Sequence, residues 1–175
     1  LGDTRFNLNL FRYDEKADSP NVFATEMFSI TPQDDIRTAQ YKNMICSKNL
    51  IKKLLAAYKE GNISVRTDSK DFDSWYNKRT AVDGKIDFHG RTREIYNLIR
   101  GVAAPFPGAF AYAGEEKVTV WEAQPFDEMI DFSAYAPGEV IDVFDGHPIV
   151  RTVDGSLLIK KYESAKELQA GDVLA

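Results

Sequence analysis

One short segment combines aromatic and basic side chains in a way that could bind a ligand. Residues 75–79 read WYNKR, so that Tyr76 lies close to the two cations Lys78 and Arg79. Arginine forms charge-assisted hydrogen bonds with phosphate oxygens, and an aromatic face beside such cations suits an anionic ligand that contains a ring. The alternative is an aromatic anchor whose charged neighbours merely face solvent. The residue types alone leave both interpretations open.

Two further groups of polar residues have less specific meanings. Asn97 and Arg100 are three apart on a predicted short helix and therefore share one face. They could contact a ligand, although a helix-capping or inter-domain hydrogen bond is the more common role for such a pair. Asp14, Glu15 and Asp18 lie in a charged turn, and a solvated surface loop is the default interpretation of that composition.

The composition excludes several classes of protein. The 175 residues include one cysteine, Cys46, and two histidines, His89 and His147, which rules out a disulfide framework, a Cys-rich zinc site and a His cluster. A 43% hydrophobic and 28% charged composition is typical of a folded globular chain, and no apolar run approaches the roughly 20 residues of a membrane helix. We expect a reducing, cytoplasmic location. Because the chain begins at Leu1 without a methionine or a signal peptide, we also expect a segment to have been removed upstream.

Charge is distributed unevenly along the chain. Residues 1–71 contain 11 Lys and Arg against 10 Asp and Glu, whereas residues 72–175 contain 11 against 17, a net charge of −6. Nucleic-acid binding draws most of its affinity from several basic side chains that neutralise phosphates. The second part of the chain is therefore a poor candidate for binding nucleic acid, although a local basic cluster could still hold one small anion.

The first part of the chain predicts a hairpin followed by a long helix. Residues 6–13 and 22–30 have the pattern of strands, and TPQD at 31–34 is a strong helix start that places proline at the first helical position. Gly61 is a suitable helix stop. Cys46 falls beside the apolar stripe of this helix, which predicts a buried or half-buried structural thiol. The stripe itself consists of Tyr41, Met44, Ile51, Leu54, Leu55 and Tyr58.

The second part of the chain predicts one short helix and several strands. The polar residues 67–74 resemble a linker and coincide with the change in charge. The short helix is indicated by the helical spacing of Ile95, Leu98, Ile99 and Val102. Strand-like runs separated by Gly and Asp turns, at the spacing of a small barrel or sandwich, occupy residues 109–112, 117–123, 139–144, 149–153 and 156–162.

A series of motifs carries a family resemblance. The motifs are DGKIDF at 83–88, EIYNLIR at 94–100, PFPGAF at 105–110 and KVTVW at 117–121. In this order and spacing they resemble the C-terminal portion of the folate-dependent formyltransferases, which include methionyl-tRNA formyltransferase and N-formyltransferases of nucleotide-linked amino sugars. YDEKAD at 13–18 and GDVL at 171–174 look like the same family, so the resemblance covers nearly the whole chain.

The resemblance implies a fold class and a domain organisation. The chain would be α+β, with residues 1–66 forming the tail of a Rossmann-like formyltransferase domain, namely the β-hairpin and the long helix. Residues 67–74 would be a linker. Residues 75–175 would form a small β-barrel-like C-terminal domain resembling an oligonucleotide-binding (OB) fold.

The resemblance also implies the chemistry. Such enzymes transfer a formyl group from the cofactor 10-formyltetrahydrofolate to an amine, and the catalytic aspartate of the family corresponds to Asp18. The catalytic asparagine and histidine and the main folate-binding loops belong to a domain upstream of this chain, so we expect the chain alone to be inactive. No metal is implied. One departure is Pro20, which stands where the family has glycine and lacks both a backbone N–H and access to positive φ.

The acidic second part favours a sugar substrate over tRNA. The first hypothesis is therefore the C-terminal part of a nucleotide-sugar N-formyltransferase, a homodimer active in lipopolysaccharide or O-antigen biosynthesis. Its substrate contacts would come from Tyr76, Lys78, Arg79, Asn97 and Arg100. The alternatives are a methionyl-tRNA formyltransferase and, after it, a non-catalytic dimerisation or binding module of the same family.

Overall fold

The computed structural model describes residues 2–12, 21–67 and 77–175. It divides into two compact units: the first lies mainly between Asp3 and Lys78, and the second is mainly Arg79–Ala175. Most of the predicted linker at 67–74 lies outside the described residues, so the exact domain boundary stays a prediction. Within the described residues, no helix is both long enough and apolar enough to cross a membrane.

The first unit contains the predicted hairpin. Strand β1 (Arg5–Phe11) pairs antiparallel with β2 (Asn21–Ser29), and β2 pairs in turn with the two-residue strand β3 (Arg66–Thr67). The alternation of apolar and polar residues in β1 gives the strand two different faces. On one of them Phe6 lies opposite Phe28, with the ring centroids 5.2 Å apart.

The long helix α1 spans Ile36–Lys59 and begins four residues later than the sequence predicts. The carboxylate of Asp34 accepts hydrogen bonds from the Thr31 N–H at 2.7 Å and from the Thr31 hydroxyl at 2.9 Å. These bonds close a local turn, so Pro32 belongs to that turn and not to the helix. The C-terminal prediction is confirmed, because Gly61 adopts a φ of +67° just beyond the helix end.

The buried face of α1 is not its predicted apolar stripe. Cys46 and Leu50 are the buried residues, which confirms the prediction of a buried thiol. Leu54 is half-buried. The other five members of the stripe have 51 to 71% of their surface exposed, and they are Tyr41, Met44, Ile51, Leu55 and Tyr58. Helical periodicity shows which residues share a side, but it does not show which side packs.

The second unit is built on an antiparallel sheet. Its helix α2 is Thr92–Val102, and a short 3₁₀ helix at Ala81–Gly84 precedes it. The strands are β4 (Ala109–Ala113), β5 (Glu116–Asp127), β6 (Val140–Phe144), β7 (His147–Arg151) and β8 (Ser156–Glu163). Their order is β4-β5-β8-β7-β6, and all the pairs are antiparallel. The predicted helix and the five predicted strands are thus confirmed.

The core of this unit lies between the sheet and α2. Ile95 and Ile99, four apart on one side of α2, are buried in the same cluster as the inward residues of the strands. These inward residues include Ala109, Ala111, Val118, Val120, Val150, Leu157 and Ile159. Burial of a complete apolar face is the main stabilising contribution in such a unit.

Neither described sheet is closed, so strand pairing does not form the predicted barrel. The C-terminal residues nevertheless bond to both edges of the five-stranded sheet. Tyr112 at the β4 edge and Ala175 exchange two backbone hydrogen bonds of 2.8 Å, and the N–H of Val140 at the β6 edge donates to the Asp172 carbonyl at 2.8 Å.

A loop distant in sequence caps the start of α2. The Asp154 carboxylate accepts hydrogen bonds from the Thr92 N–H at 2.8 Å and the Thr92 hydroxyl at 2.9 Å, and that hydroxyl lies 2.6 Å from the Thr152 hydroxyl. Desolvation acts to raise the pKa of Asp154, but the bonds from Thr92 outweigh it and the pKa is lowered. The turn between β7 and β8 is thereby attached to the first turn of α2.

Candidate ligand-binding site

Two predicted site residues, Asp18 and Tyr76, lie outside the described residues, and their roles stay predictions. Lys78 and Arg79 are both exposed. Arg79 lines a pocket of about 410 Å³ that is made entirely from residues of the second unit. The other lining residues are Thr80, Ala81, Asp83, Gly84, Gly101, Val102, Phe106, Pro107 and Gly108.

Local hydrogen bonds hold the two sides of this pocket. On one side, the Asp83 carboxylate accepts bonds from the Thr80 N–H at 2.5 Å and the Thr80 hydroxyl at 3.1 Å, which caps the 3₁₀ helix. On the other side, the N–H of Gly108 donates to the Val102 carbonyl at 2.9 Å, so the loop after α2 folds back on the helix end. Both sides are therefore short, hydrogen-bonded segments.

Glycine lets these two sides approach each other. A Cβ at Gly84 would lie 2.8 Å from the Gly108 carbonyl oxygen, closer than real Cβ contacts. Gly108 has a φ of +84°, and a Cβ there would lie 2.9 Å from the Trp121 ring. The pocket wall at this point is therefore peptide backbone, and a ligand could approach it closely.

Arg79 and Asp83 are the charged side chains that line the pocket. The bonds from the Thr80 N–H and hydroxyl, assisted by the charge of Arg79, lower the pKa of Asp83. Asp83 is thus ionised at neutral pH and occupied by its capping bonds. Arg79 makes no hydrogen bond or ion pair within the described part of the chain, and its guanidinium has N–H donors suited to an anion.

The structure does not bring Asn97 and Arg100 into this pocket. The Arg100 Nε donates a hydrogen bond to the Asn97 Oδ1 at 2.9 Å, and the guanidinium lies 5.4 Å from the centroid of the Tyr96 ring. The prediction that both residues share one helix face is confirmed by this bond. Their role as substrate contacts stays a prediction.

Sequence reasoning did not select Phe106 as a site residue. The sequence indicates that residues 104–109 form a fixed loop packed on the core, and two prolines beside an aromatic residue support that interpretation. In the structure the Phe106 side chain is 44% exposed and lines the pocket. The signal available in the sequence was the position of this ring directly after a helix end, where loops often carry binding residues. In the described ranges, no cluster of three His, Cys, Asp or Glu could hold a metal ion.

The fold is that of formyltransferases. The chain superimposes on HypX from Aquifex aeolicus in complex with tetrahydrofolic acid, with a TM-score of 0.69, 20% identity, and coverage of 94% of this chain and 28% of HypX. It also superimposes on WlaRD, a sugar 3N-formyl transferase studied with dTDP and 5-N-formyl-THF, with a TM-score of 0.68, 17% identity, and coverage of 95% and 57%. The superposition on methionyl-tRNA formyltransferase from Clostridium thermocellum has a TM-score of 0.54 at 12% identity. It covers 73% of this chain and 53% of that protein.

Residues 78–175 match the family model described as the formyl transferase C-terminal domain. Because this match covers more than half of the sequence, the chain belongs to the formyltransferase family, as the motifs predict. The chain spans between 28% and 57% of the length of the solved structures named above. The pocket at Arg79 lies within the matched domain.

Proposed function

We propose that this chain is the C-terminal part of an N-formyltransferase that acts on a nucleotide-linked amino sugar. The reaction would transfer a formyl group from 10-formyltetrahydrofolate to the sugar amine. Membership of the formyltransferase family supports the reaction class. The observation that carries the substrate class is the Arg79 guanidinium, which lines a pocket of the family domain and has no partner among the described residues, because arginine is suited to bidentate binding of phosphate oxygens.

The charge of the second unit supports a sugar nucleotide over an RNA. Residues 118–150 contain seven Asp and Glu and no Lys or Arg. An RNA-binding surface needs several cations to neutralise phosphates, whereas one diphosphate needs only one or two. Methionyl-tRNA formyltransferase is therefore the second candidate, and the non-catalytic dimerisation or binding module is the third.

The proposal divides the work between the two parts of the chain. Asp18 would be the carboxylate that raises the pKa of a histidine supplied from upstream and fixes its tautomer. Tyr76, Lys78 and Arg79 would contact the diphosphate, and Asn97 with Arg100 would complete the substrate contacts. In this proposal residues 1–66 are the tail of a Rossmann-like domain, 67–74 are a linker, and 75–175 adopt an OB-like fold in a cytoplasmic homodimer.

A transfer assay on the full-length protein tests this proposal. We expect formylation of a dTDP-linked amino sugar and no formylation of methionyl-tRNA, with only a weak dependence of substrate affinity on salt. Formylation of methionyl-tRNA with a steep salt dependence would favour the second candidate. Absence of transfer to either substrate, in protein that binds folate, would favour the third.

The 175-residue chain by itself provides a second test. We expect no turnover from this chain, because a single carboxylate cannot replace the asparagine and histidine expected upstream. Measurable turnover of 10-formyltetrahydrofolate with an amino sugar would contradict the proposed division of the site.

A further inference from the structure

The pocket beside Arg79 has the dimensions of a small-molecule site. Its volume of about 410 Å³ lies within the range of roughly 300 to 1,000 Å³ that is usual for ligand pockets. Its lining includes the apolar residues Phe106, Pro107 and Val102 together with the polar residues Arg79, Thr80 and Asp83. The lining therefore places two opposite charges, Arg79 and Asp83, beside apolar groups.

The aromatic wall is available for stacking. The Phe106 side chain is 44% exposed, and its ring stacks on no other aromatic ring within the described residues. The backbone at Gly84 and Gly108 supplies a neighbouring wall without side chains, which leaves room for a planar group. A flat ring is the ligand shape that best uses an exposed phenyl face beside a backbone wall.

The charges of Arg79 and Asp83 indicate which chemical group should accompany the planar ring of a ligand. The Asp83 carboxylate accepts both bonds from Thr80, and among the described residues the Arg79 guanidinium has no hydrogen-bond or ion-pair partner. A ligand that combines a planar ring with an oxyanion could contact both the Phe106 ring and the Arg79 guanidinium. Nucleoside phosphates have this chemistry.

We propose that this pocket is the base-binding subsite for a nucleotide, in which the base stacks on Phe106 and the phosphate bonds to Arg79. The inference rests on the proposed function, because it assigns the nucleotide portion of the same substrate to a defined pocket. It adds Phe106 to the substrate contacts and makes it the residue that distinguishes a nucleotide from a bare diphosphate.

Two substitutions and two probes test the subsite in the full-length protein. The probes are dTDP and inorganic pyrophosphate, and their affinities are measured by calorimetry, directly or by competition. F106L removes the ring but keeps an apolar side chain. We expect it to lower the affinity for dTDP about tenfold and to leave the affinity for pyrophosphate unchanged. R79Q removes the cation, and we expect it to weaken both probes.

Phe144 offers a matched control. It is an exposed phenylalanine, 63% accessible, on β6 and outside the pocket. We expect F144L to change neither affinity, and thermal melting of each variant shows whether the fold is kept. The subsite is overturned if F106L and F144L affect dTDP equally, if F106L weakens pyrophosphate as much as dTDP, or if wild-type protein binds no dTDP.

The transfer assay separates this inference from the proposed function. Formylation of a nucleotide-linked amino sugar combined with an unchanged dTDP affinity in F106L would retain the function and reject the subsite. Binding of dTDP that depends on Phe106, without transfer to any amino sugar, would retain the subsite and reject the function.

Discussion

The helix α1 and the five-stranded sheet differ in how they use their apolar residues. In the sheet the inward residues are buried, and Val118, Val120 and Leu157 have no exposed surface. In α1 only Cys46 and Leu50 are buried, while a second apolar stripe is more than half exposed. The comparison shows that the second unit buries its own core, whereas α1 has an apolar side that stays about half exposed or more among the described residues.

The two regions also differ in charge. Helix α1 contains six Lys and Arg and no Asp or Glu, whereas residues 118–150 contain seven acidic residues and no basic ones. The buried Asp34 carboxylate accepts a hydrogen bond from the Lys42 ammonium at 2.5 Å. Burial and hydrogen bonding have opposite effects on the pKa of this carboxylate. Desolvation acts to raise the pKa of Asp34, but the bonds from Lys42 and Thr31 prevail and the pKa is lowered.

The largest expected effect comes from emptying the core of the sheet. Leu157→Ala should lower the free energy of unfolding by about 2 to 5 kcal/mol, because it removes buried methyl groups and leaves a cavity. Ile51→Ala, on the exposed stripe of α1, should change it by less than about 0.5 kcal/mol. Chemical denaturation of both variants measures the difference. Similar losses from the two substitutions would contradict the contrast between the regions.

A large effect on turnover is expected from the first part of the chain. Asp18→Asn keeps the side-chain shape but removes the negative charge, so the pKa of a partner histidine should fall. We expect the full-length enzyme to lose on the order of 100-fold in kcat, with little change in folate affinity. A variant with near-normal turnover would contradict the catalytic role of Asp18 and would mean that its carboxylate is misplaced in this loop.

A smaller effect is expected at the cap of α2. Asp154→Ala should lower the free energy of unfolding by about 1 kcal/mol, which is the usual effect of losing a helix cap. The pKa of Asp154 is lower in the folded state than in the unfolded one, so its contribution is present above about pH 4 and decreases as the pH falls through the folded value. Asp154→Asn can still accept the bond from Thr92, so it should retain most of the stability and reduce the pH dependence. Denaturation at pH 3 and pH 7 tests this, and an alanine variant with unchanged stability would reject the cap.

The smallest effect compares two glycines at the pocket. Nothing lies within 4 Å of a Cβ built at Gly101 in α2, so Gly101→Ala should stabilise the protein by about 0.5 kcal/mol through its higher helix propensity. Gly84→Ala should destabilise it, because the Cβ would lie 2.8 Å from the Gly108 carbonyl oxygen. Thermal melting of both variants gives the sign of each change in stability. Equal shifts in melting temperature would argue against the close approach of Gly84 to the Gly108 carbonyl oxygen.

Most of the secondary structure could be predicted because its signals are local. Each signal lies within a few residues of the element that it predicts. Examples are the alternation of apolar and polar residues in β1, the spacing of Ile95 and Ile99 in α2, and the Gly and Asp turns between the late strands. The start of α1 was placed too early because Pro32 is compatible with both a first helical turn and a separate turn. The bond between Asp34 and Thr31 decides between them.

The candidate site could be predicted only in part. Arg79 was identified from its residue type and its neighbours in sequence. Phe106 was not, because its position in the pocket depends on the close approach of Gly84 and Gly108, which are 24 positions apart. Likewise, nothing in the sequence around Asp154 shows that it caps α2, because its partner Thr92 is 62 positions away.

The sequence by itself determined the family, the helices and strands, and the charge contrast between the two parts of the chain, since motif order, periodicity and composition can be read along the chain. Only the tertiary structure decided which side of α1 is buried, which loop caps α2, and which side chains line the pocket at Arg79. The physical reason is that burial and hydrogen-bond partners depend on groups distant in sequence, whereas local propensity and charge do not.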